Sequence, residues 1–236
     1  MQDGWTQVTH KSRPKDSRTS TTQTREPPQI KDLTLAQIQR DYRGIRKQFE
    51  QSACWSKLRS LINLRRPERG WEIDTAVCLA CSSVCFDWQL KVESPNMDIF
   101  AQEPRYQPLD HALLDSLGIR TLQDPEAERH ITPKAFVFVA FLEWHRELDI
   151  VVDGKDSALY IGTGMDPVIE ACGRILRSPH HEKKHSEGRD AKRLKEVATA
   201  FRDTHDRFDF PELEQTDALT GLSIHFRKQT EDRDDA

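Results

Sequence analysis

Residues 98–118 read Asp-Ile-Phe-Ala-Gln-Glu-Pro-Arg-Tyr-Gln-Pro-Leu-Asp-His-Ala-Leu-Leu-Asp-Ser-Leu-Gly. Ile99 to Ala101 form a short apolar run that suits a buried strand, and Pro104 ends it because proline cannot continue a strand ladder. Pro108 stands where the first turn of a helix tolerates a missing N–H, and Gly118 suits a left-handed helix end. The stretch therefore predicts a strand, a polar turn and a helix, the repeating unit of a parallel sheet.

The same patterns predict the rest of the fold. Apolar residues at helical spacing indicate N-terminal helices over about 34–49, opened by a capping box at Thr34 and Gln37, and over 53–64. Short apolar runs indicate strands within 73–84, 119–122, 135–141, 159–161 and 222–226, and helical patterns cover 143–152, 167–176 with Asp166 as N-cap, and 191–204. We expect an α/β fold: a mainly parallel, Rossmann-like sheet of about five to six strands, helices on both faces and an N-terminal helical extension.

The composition limits the class of protein. The chain has 236 residues, 36% of them hydrophobic and 31% charged, with a formal net charge of −4. This charge gives no general attraction to nucleic acid or to an anionic membrane, and no apolar run reaches the ~20 residues of a membrane span. The N-terminus lacks the apolar core of a signal peptide. Five cysteines in mostly apolar surroundings predict reduced thiols, which places the chain in the cytoplasm and/or the nucleus.

Four segments are expected along the chain. Residues 1–30 form a disordered tail because they offer too little apolar surface to offset chain entropy. Residues 31–70 carry the N-terminal helices, residues 71–227 form the α/β domain, and residues 228–236 are a charged C-terminal tail. The basic residues of the first tail allow a nucleic-acid contact, which would show steep salt dependence, but a solvated tail is the favoured interpretation.

Residues 98–118 also resemble the central signature of the Sensitivity to Red Light Reduced-like domain family. That signature has Gln-Asp-Pro, an aromatic residue, an aspartate, a leucine and a Leu-Gly pair, and it corresponds here to Gln102-Glu103-Pro104, Tyr106, Asp110, Leu114 and Leu117-Gly118. Glu103 replaces the first aspartate. The resemblance runs from about Trp55 to Phe226 and is that of a divergent, fungal-type member. It implies regulation in light and clock signalling or in haem-linked metabolism, with no settled reaction.

Two other positions depart from the pattern of that family. The resemblance implies a Gly-Leu-Gly-Ser loop at the end of the first strand, where this chain has Ala80-Cys81-Ser82-Ser83. It also implies a Pro-His pair where this chain has Phe141-Leu142. Glycines let a backbone turn tightly and approach a phosphate, so their loss weakens the case for a nucleotide site.

Other candidate sites have simpler explanations. Cys78, Cys81 and Cys85 lie on or just after an apolar strand without a fourth zinc ligand, so core cysteines are favoured. The histidines of residues 180–185 belong to a charged loop, and a metal there is the less favoured interpretation. Gly162 and Gly164 resemble half of a phosphate loop, but Asp166 would repel a phosphate, which favours a structural turn. We therefore expect no metal and no cofactor.

The remaining polar residues gather where strands end. We expect Gln102, Glu103, Tyr106 and Asp110 to line a strand-end cleft together with Ser82 and Ser83, because the turns after neighbouring parallel strands lie side by side. Alternatively, Gln102 and Asp110 satisfy backbone N–H groups. The sequence favours a non-catalytic regulatory or interaction protein with a protein partner and no membrane or nucleic-acid contact. The alternative is an enzyme or sensor that binds a nucleotide-like or anionic ligand at the strand ends.

Overall fold

The computed structural model describes residues 33–68, 70–80, 97–140, 142–178, 185–213 and 219–228. For residues 185–189 it describes the backbone only. Residues from Asp32 onward belong to one compact unit. The helices are α1 (Leu35–Glu50), α2 (Ala53–Leu64), α3 (Pro108–Ser116), α4 (Trp144–Glu147), α5 (Met165–Arg177) and α6 (His185–Thr204). The strands are β1 (Thr75–Leu79), β2 (Asp98–Gln102), β3 (Arg120–Thr121), β4 (Ala135–Val139), β5 (Leu159–Thr163), β6 (His205–Asp209) and β7 (Leu222–Arg227).

The strands form one sheet in the order β3-β2-β1-β4-β5-β7-β6. The pairs from β3 to β5 are parallel, and β7 runs antiparallel to both β5 and β6. In the centre, Val77 of β1 lies opposite Phe100 of β2 and Val137 of β4. The predicted fold class, a mainly parallel α/β sheet, is therefore confirmed. Within the described ranges the sheet has seven strands rather than five to six, because the charged strand β6 was not predicted.

Helices cover both faces of the sheet, as predicted. On one face, Trp55 and Leu58 of α2 and Leu114 of α3 share a buried cluster with the sheet residues Cys78 and Ile224. On the other face, the strand residues Val77 and Val137 pack with Val168 of α5 and Leu194 of α6. Because successive strand residues point to opposite sides, these two clusters are the two faces of a doubly covered sheet.

The two N-terminal helices begin where their capping residues stand. Before α1, the hydroxyl of Thr34 accepts from the N–H of Gln37, whose side chain accepts in return from the N–H of Thr34, at 3.3 and 2.8 Å. Before α2, the hydroxyl of Ser52 accepts from the N–H of Trp55 at 3.1 Å. These contacts satisfy backbone donors that a helix start leaves free, and they confirm the predicted capping box.

Three local predictions need correction. The N-cap of α5 is Gly164, and Asp166 lies within the first turn, so the helix starts before the predicted Pro167. The predicted helix over 143–152 has two parts, the short α4 and a π-helix over Leu148–Val152. The first strand ends at Leu79, and the residues from 81 to 96 lie outside the described part of the chain.

Candidate functional site

The strand order reverses between β1 and β4, since β2 and β3 follow on one side and β5 on the other. In open α/β sheets, ligands bind outside the carboxyl ends of the strands at such a point. We therefore call the last residue of β1, β2, β4 and β5, together with the residue directly after each, the strand-end edge. The last residues of these four strands are Leu79, Gln102, Val139 and Thr163. Ser82 and Ser83 of the predicted cleft lie outside the described residues, as does Phe141.

Gln102 ends β2 with its side chain buried and both halves of its amide bonded. The Nε2 group donates to Oδ1 of Asp124 at 3.0 Å, and Oε1 accepts from the backbone N–H of Ala127 at 2.9 Å. Both partners lie in the connection between β3 and β4. Gln102 therefore holds that connection against the end of β2.

Glu103, Tyr106 and Asp110 follow in the turn and in the start of α3, and all three are half-buried. The carboxylate of Glu103 accepts from the backbone N–H of Arg105 at 3.0 Å, and that of Asp110 accepts from the backbone N–H of Gln107 at 2.8 Å. Tyr106 packs edge-on against the ring of His111. The carboxylates of Glu103 and Asp110 therefore bind backbone N–H groups of the same turn. That they share a cleft with Ser82 and Ser83 stays a prediction.

Ala80, directly after β1, has an unusual backbone conformation. Its φ is 51°, in the left-handed region, and its N–H donates to the carbonyl of Gln102 at 3.1 Å. Left-handed geometry costs a non-glycine residue about 1–2 kcal/mol, because the Cβ crowds the following carbonyl oxygen. The backbone after β1 thus adopts a turn that glycine adopts without strain, although the residue at that position is an alanine. Such strain is found at functional sites and also at tight structural turns.

Glu147, which the sequence did not single out, lies against the end of β5. It ends α4, is 1% exposed, and its carboxylate accepts from both the backbone N–H and the hydroxyl of Thr163, each at 2.7 Å. Burial raises the pKa of Glu147 to about 7, and the two hydrogen bonds from Thr163 offset only part of that effect. A buried carboxyl that titrates near neutral pH is suited to hold or release a proton.

Gly162 makes room for this carboxyl. A Cβ at that position would lie 2.2 Å from the Tyr160 hydroxyl and 2.6 Å from Oε1 of Glu147, so only glycine fits there. Tyr160 is fully buried, and its hydroxyl has no hydrogen-bond partner among the described residues. The space above Gly162 therefore holds a phenol and a carboxyl side by side.

His225 lies next to this pair in the sheet, opposite Tyr160 in the register of β5 and β7. Burial lowers the pKa of His225 to about 3, and the charges of His205 and Arg207 add to the effect, so the imidazole is neutral at physiological pH. Neither ring nitrogen has a partner with hydrogen-bond geometry in the described part of the chain, although the Thr163 backbone offsets part of the shift. His225 therefore adds no positive charge to balance Glu147.

A weak signal for Glu147 was present in the sequence. Leu148, Val151 and Val152 are buried, and Glu147 stands one turn before Val151 on that apolar face of the predicted helix. A carboxylate on an apolar face needs a partner. The sequence did not show that this partner is Thr163, which lies sixteen residues away at the end of β5.

The glycine pair Gly162 and Gly164 serves the turn between β5 and α5. The Thr163 N–H between them is occupied by Glu147, and Asp166 lies 3.8 Å from Arg202 and from Arg207. A Cβ on Gly164 would lie 2.9 Å from the Ser223 hydroxyl. These contacts give both glycines a packing role.

Metal and membrane sites are not found among the described residues. Within those ranges, no three His, Cys, Asp or Glu side chains stand close enough together to hold a metal ion. None of the helices in the same ranges combines the length and apolar character that a membrane span requires. Cys54, Cys78 and Cys172 are buried, which confirms Cys78 as a core cysteine. Cys81 and Cys85 fall outside the described part.

The fold and its strand-end edge define a Rossmann-like α/β protein with helices on both faces. A model of the SRR1 domain matches residues 45–226. The match covers well over half of the sequence, so the chain belongs to the SRR1 domain family, as the signature in residues 102–118 predicts. No curated protein matches the chain in sequence.

Solved methyltransferases are among the structures to which this chain is similar. A TehB-like SAM-dependent methyltransferase from Corynebacterium glutamicum has 8% identity and a TM-score of 0.38, over 82% of this chain and 98% of its own. An SAH-bound methyltransferase from Podospora anserina has 13% identity and a TM-score of 0.34, over 86% of this chain and all of its own. Scores this low carry no argument about what this chain does.

Proposed function

We propose that this SRR1-family chain is a non-catalytic regulatory protein that acts by binding a protein partner in the cytoplasm or the nucleus. The observation that supports the proposal is the use of the polar residues after β2. Both halves of the Gln102 amide bind the β3–β4 connection, and the carboxylates of Glu103 and Asp110 bind backbone N–H groups. These hydrogen bonds give the polar side chains a role in stabilising the local fold.

The location of the protein is part of this proposal. Cys54 and Cys172 are buried thiols without a disulfide, which is typical of proteins in a reducing compartment. Fractionation with a tagged chain in its native host would test it, and recovery of the protein from the secreted fraction would overturn it.

The proposed partner binding is tested with the full chain as bait in native extract. A partner should be retained by the wild-type chain and should bind the purified chain at 1:1 or another fixed ratio in analytical ultracentrifugation. A chain that lacks residues 1–28 shows whether the N-terminal segment takes part. Turnover of a small molecule by the purified chain alone, lost on substitution at the strand-end edge, would overturn the non-catalytic proposal.

A second candidate function is the binding of a nucleotide-like or anionic ligand at the strand-end edge. Two observations favour it: the left-handed turn at Ala80 beside the switch point, and the buried carboxyl of Glu147 at the end of β5. Isothermal calorimetry with adenosyl and dinucleotide ligands tests this candidate. A micromolar dissociation constant that weakens in an Ala80→Val chain would support it over the first, since valine is poorly tolerated at positive φ.

A further inference from the structure

We propose that Glu147 is a proton-operated latch: protonated, it holds residues 144–152 on the carboxyl end of β5, and ionised, it lets that segment leave the sheet. The proposal concerns regulation within the chain, and it goes beyond the proposed function because it does not depend on which partner or ligand is bound. It rests first on the geometry of the contact between Glu147 and Thr163.

The contact joins two elements that end at the same edge of the sheet. Glu147 follows β4 by eight positions, and Thr163 is the last residue of β5. The carboxyl takes two donors from one residue, the N–H and the hydroxyl of Thr163. The described structure places no cation on this buried carboxyl, so the ionised form is stabilised only by these two neutral donors. Two such hydrogen bonds do not replace the hydration that a carboxylate loses on burial.

The backbone that carries Glu147 is itself unusual. The five residues Leu148–Val152 form a π-helix directly after α4. π-Helical turns are rare, and they are frequent at functional sites. The segment is anchored by Leu148, Val151 and Val152, which are buried against the sheet and α6. A change at Glu147 therefore acts on a short, irregular segment and not on a long helix.

The polar group closest to the latch has unused hydrogen-bonding capacity. The Tyr160 hydroxyl lies beside Oε1 of Glu147 over Gly162 and has no partner among the described residues. A phenol can donate to a carboxylate or accept from a protonated carboxyl, so this hydroxyl does not decide between the two forms. The protonated form keeps both contacts with Thr163, because Oε1 can accept from the N–H while the protonated Oε2 donates to the hydroxyl oxygen.

The charged side chains on the neighbouring elements already have partners. Arg193 of α6 donates to Asp149, within the π-helix, and to Asp153, directly after it. Asp166, in the first turn of α5, is 3.8 Å from Arg202 and from Arg207.

Two histidines lie in the sheet behind the latch. Burial lowers the pKa values of both His205 and His225, so both are neutral near pH 7. On the surface side, His145 is 3.3 Å from Glu143, and both side chains are well exposed. Burial raises the pKa of Glu147, the hydrogen bonds from Thr163 offset part of that rise, and no charged group is among the causes. The latch is thus controlled by one proton on one carboxyl.

The test is hydrogen exchange of the full chain, followed by mass spectrometry from pH 5 to pH 8.5 and corrected for the intrinsic pH dependence of exchange. Opening should release one proton, so residues 144–152 and the amides after β5 should lose protection by about tenfold per pH unit up to pH 7 and then level off. In a Glu147→Gln chain the corrected protection should stay constant. In a Glu143→Gln chain, altered at an exposed carboxyl of the same loop, it should follow the wild type.

A second variant keeps the test decisive if Glu147→Gln folds poorly. Thr163→Val removes the hydroxyl donor that lowers the pKa of Glu147, so the loss of protection should extend to higher pH before it levels off. The proposal is overturned if the wild-type and Glu147→Gln profiles are parallel. It is equally overturned if residues 144–152 are protected at every pH as strongly as the central strands, because that result marks exchange through global unfolding and not release of the segment.

Discussion

Replacing Glu147 by glutamine should remove a penalty that the wild-type fold carries at neutral pH. The pKa of Glu147 is raised from 4.5 to about 7 by burial. Between these values the folded state keeps a proton that the unfolded chain releases. The free energy of unfolding must therefore fall as pH rises through this window and stay level above it. A pKa difference of this size corresponds to roughly 3 kcal/mol.

Glutamine preserves the shape of the side chain and cannot ionise. Its carbonyl can accept from the N–H of Thr163, and its amide can donate to the hydroxyl oxygen of Thr163. The free energy of unfolding of the Glu147→Gln chain, relative to that of the wild type, should therefore rise by about 3 kcal/mol between about pH 4.5 and about pH 8. This rise does not depend on how the two chains differ at the lower pH.

The measurement is urea unfolding of both chains at half-unit pH steps, followed by circular dichroism. The difference between the two free energies removes the contributions of all other titrating groups. Glu143→Gln is the matched control, since its side chain is 75% exposed and its difference from the wild type should stay flat. Parallel curves for the wild type and Glu147→Gln would refute the claim that Glu147 is a buried acid whose pKa is raised because no cation among the described residues balances its charge.

Three further predictions concern stability. Ala80→Gly should stabilise the fold by about 1 kcal/mol in urea unfolding, because glycine relieves the left-handed strain at some cost in chain entropy; no gain would contradict the φ of 51°. Gly162→Ala should cost about 3 kcal/mol, since its Cβ would lie 2.2 Å from the Tyr160 hydroxyl, whereas Gly44→Ala, in open space on α1, should gain about 1 kcal/mol. Asp110→Asn should change stability by about 1 kcal/mol or less and should leave calorimetric ligand binding unaltered.

The central strands could be predicted because burial on both faces leaves a clear pattern. The apolar runs around Val77, Ile99 and Val137 have no polar alternation, and the three strands are neighbours in the sheet. The sequence of β6, His-Asp-Arg-Phe-Asp, has no such run. That strand lies at the edge of the sheet, where charged side chains remain in water and protect free backbone groups from pairing with another chain.

The candidate site was predictable only where it depends on local hydrogen bonds. The bond from the Gln107 N–H to Asp110 spans three residues, and the sequence allowed that interpretation of Asp110. The contact between Glu147 and Thr163 depends on the placement of β4 beside β5, which no local pattern encodes. Ala80 was unpredictable for another reason, since alanine carries no preference for the left-handed conformation that the turn requires.

The position of β7 has a consequence for the order in which the protein is completed on the ribosome. The strand enters between β5 and β6, and its residues Ile224 and Phe226 complete the same cluster as Trp55 and Leu58. That face of the sheet therefore stays open until β7, residues Leu222–Arg227, has been synthesised. Between the synthesis of α2 and that point the nascent chain exposes apolar surface, which is the condition under which chaperones act during synthesis.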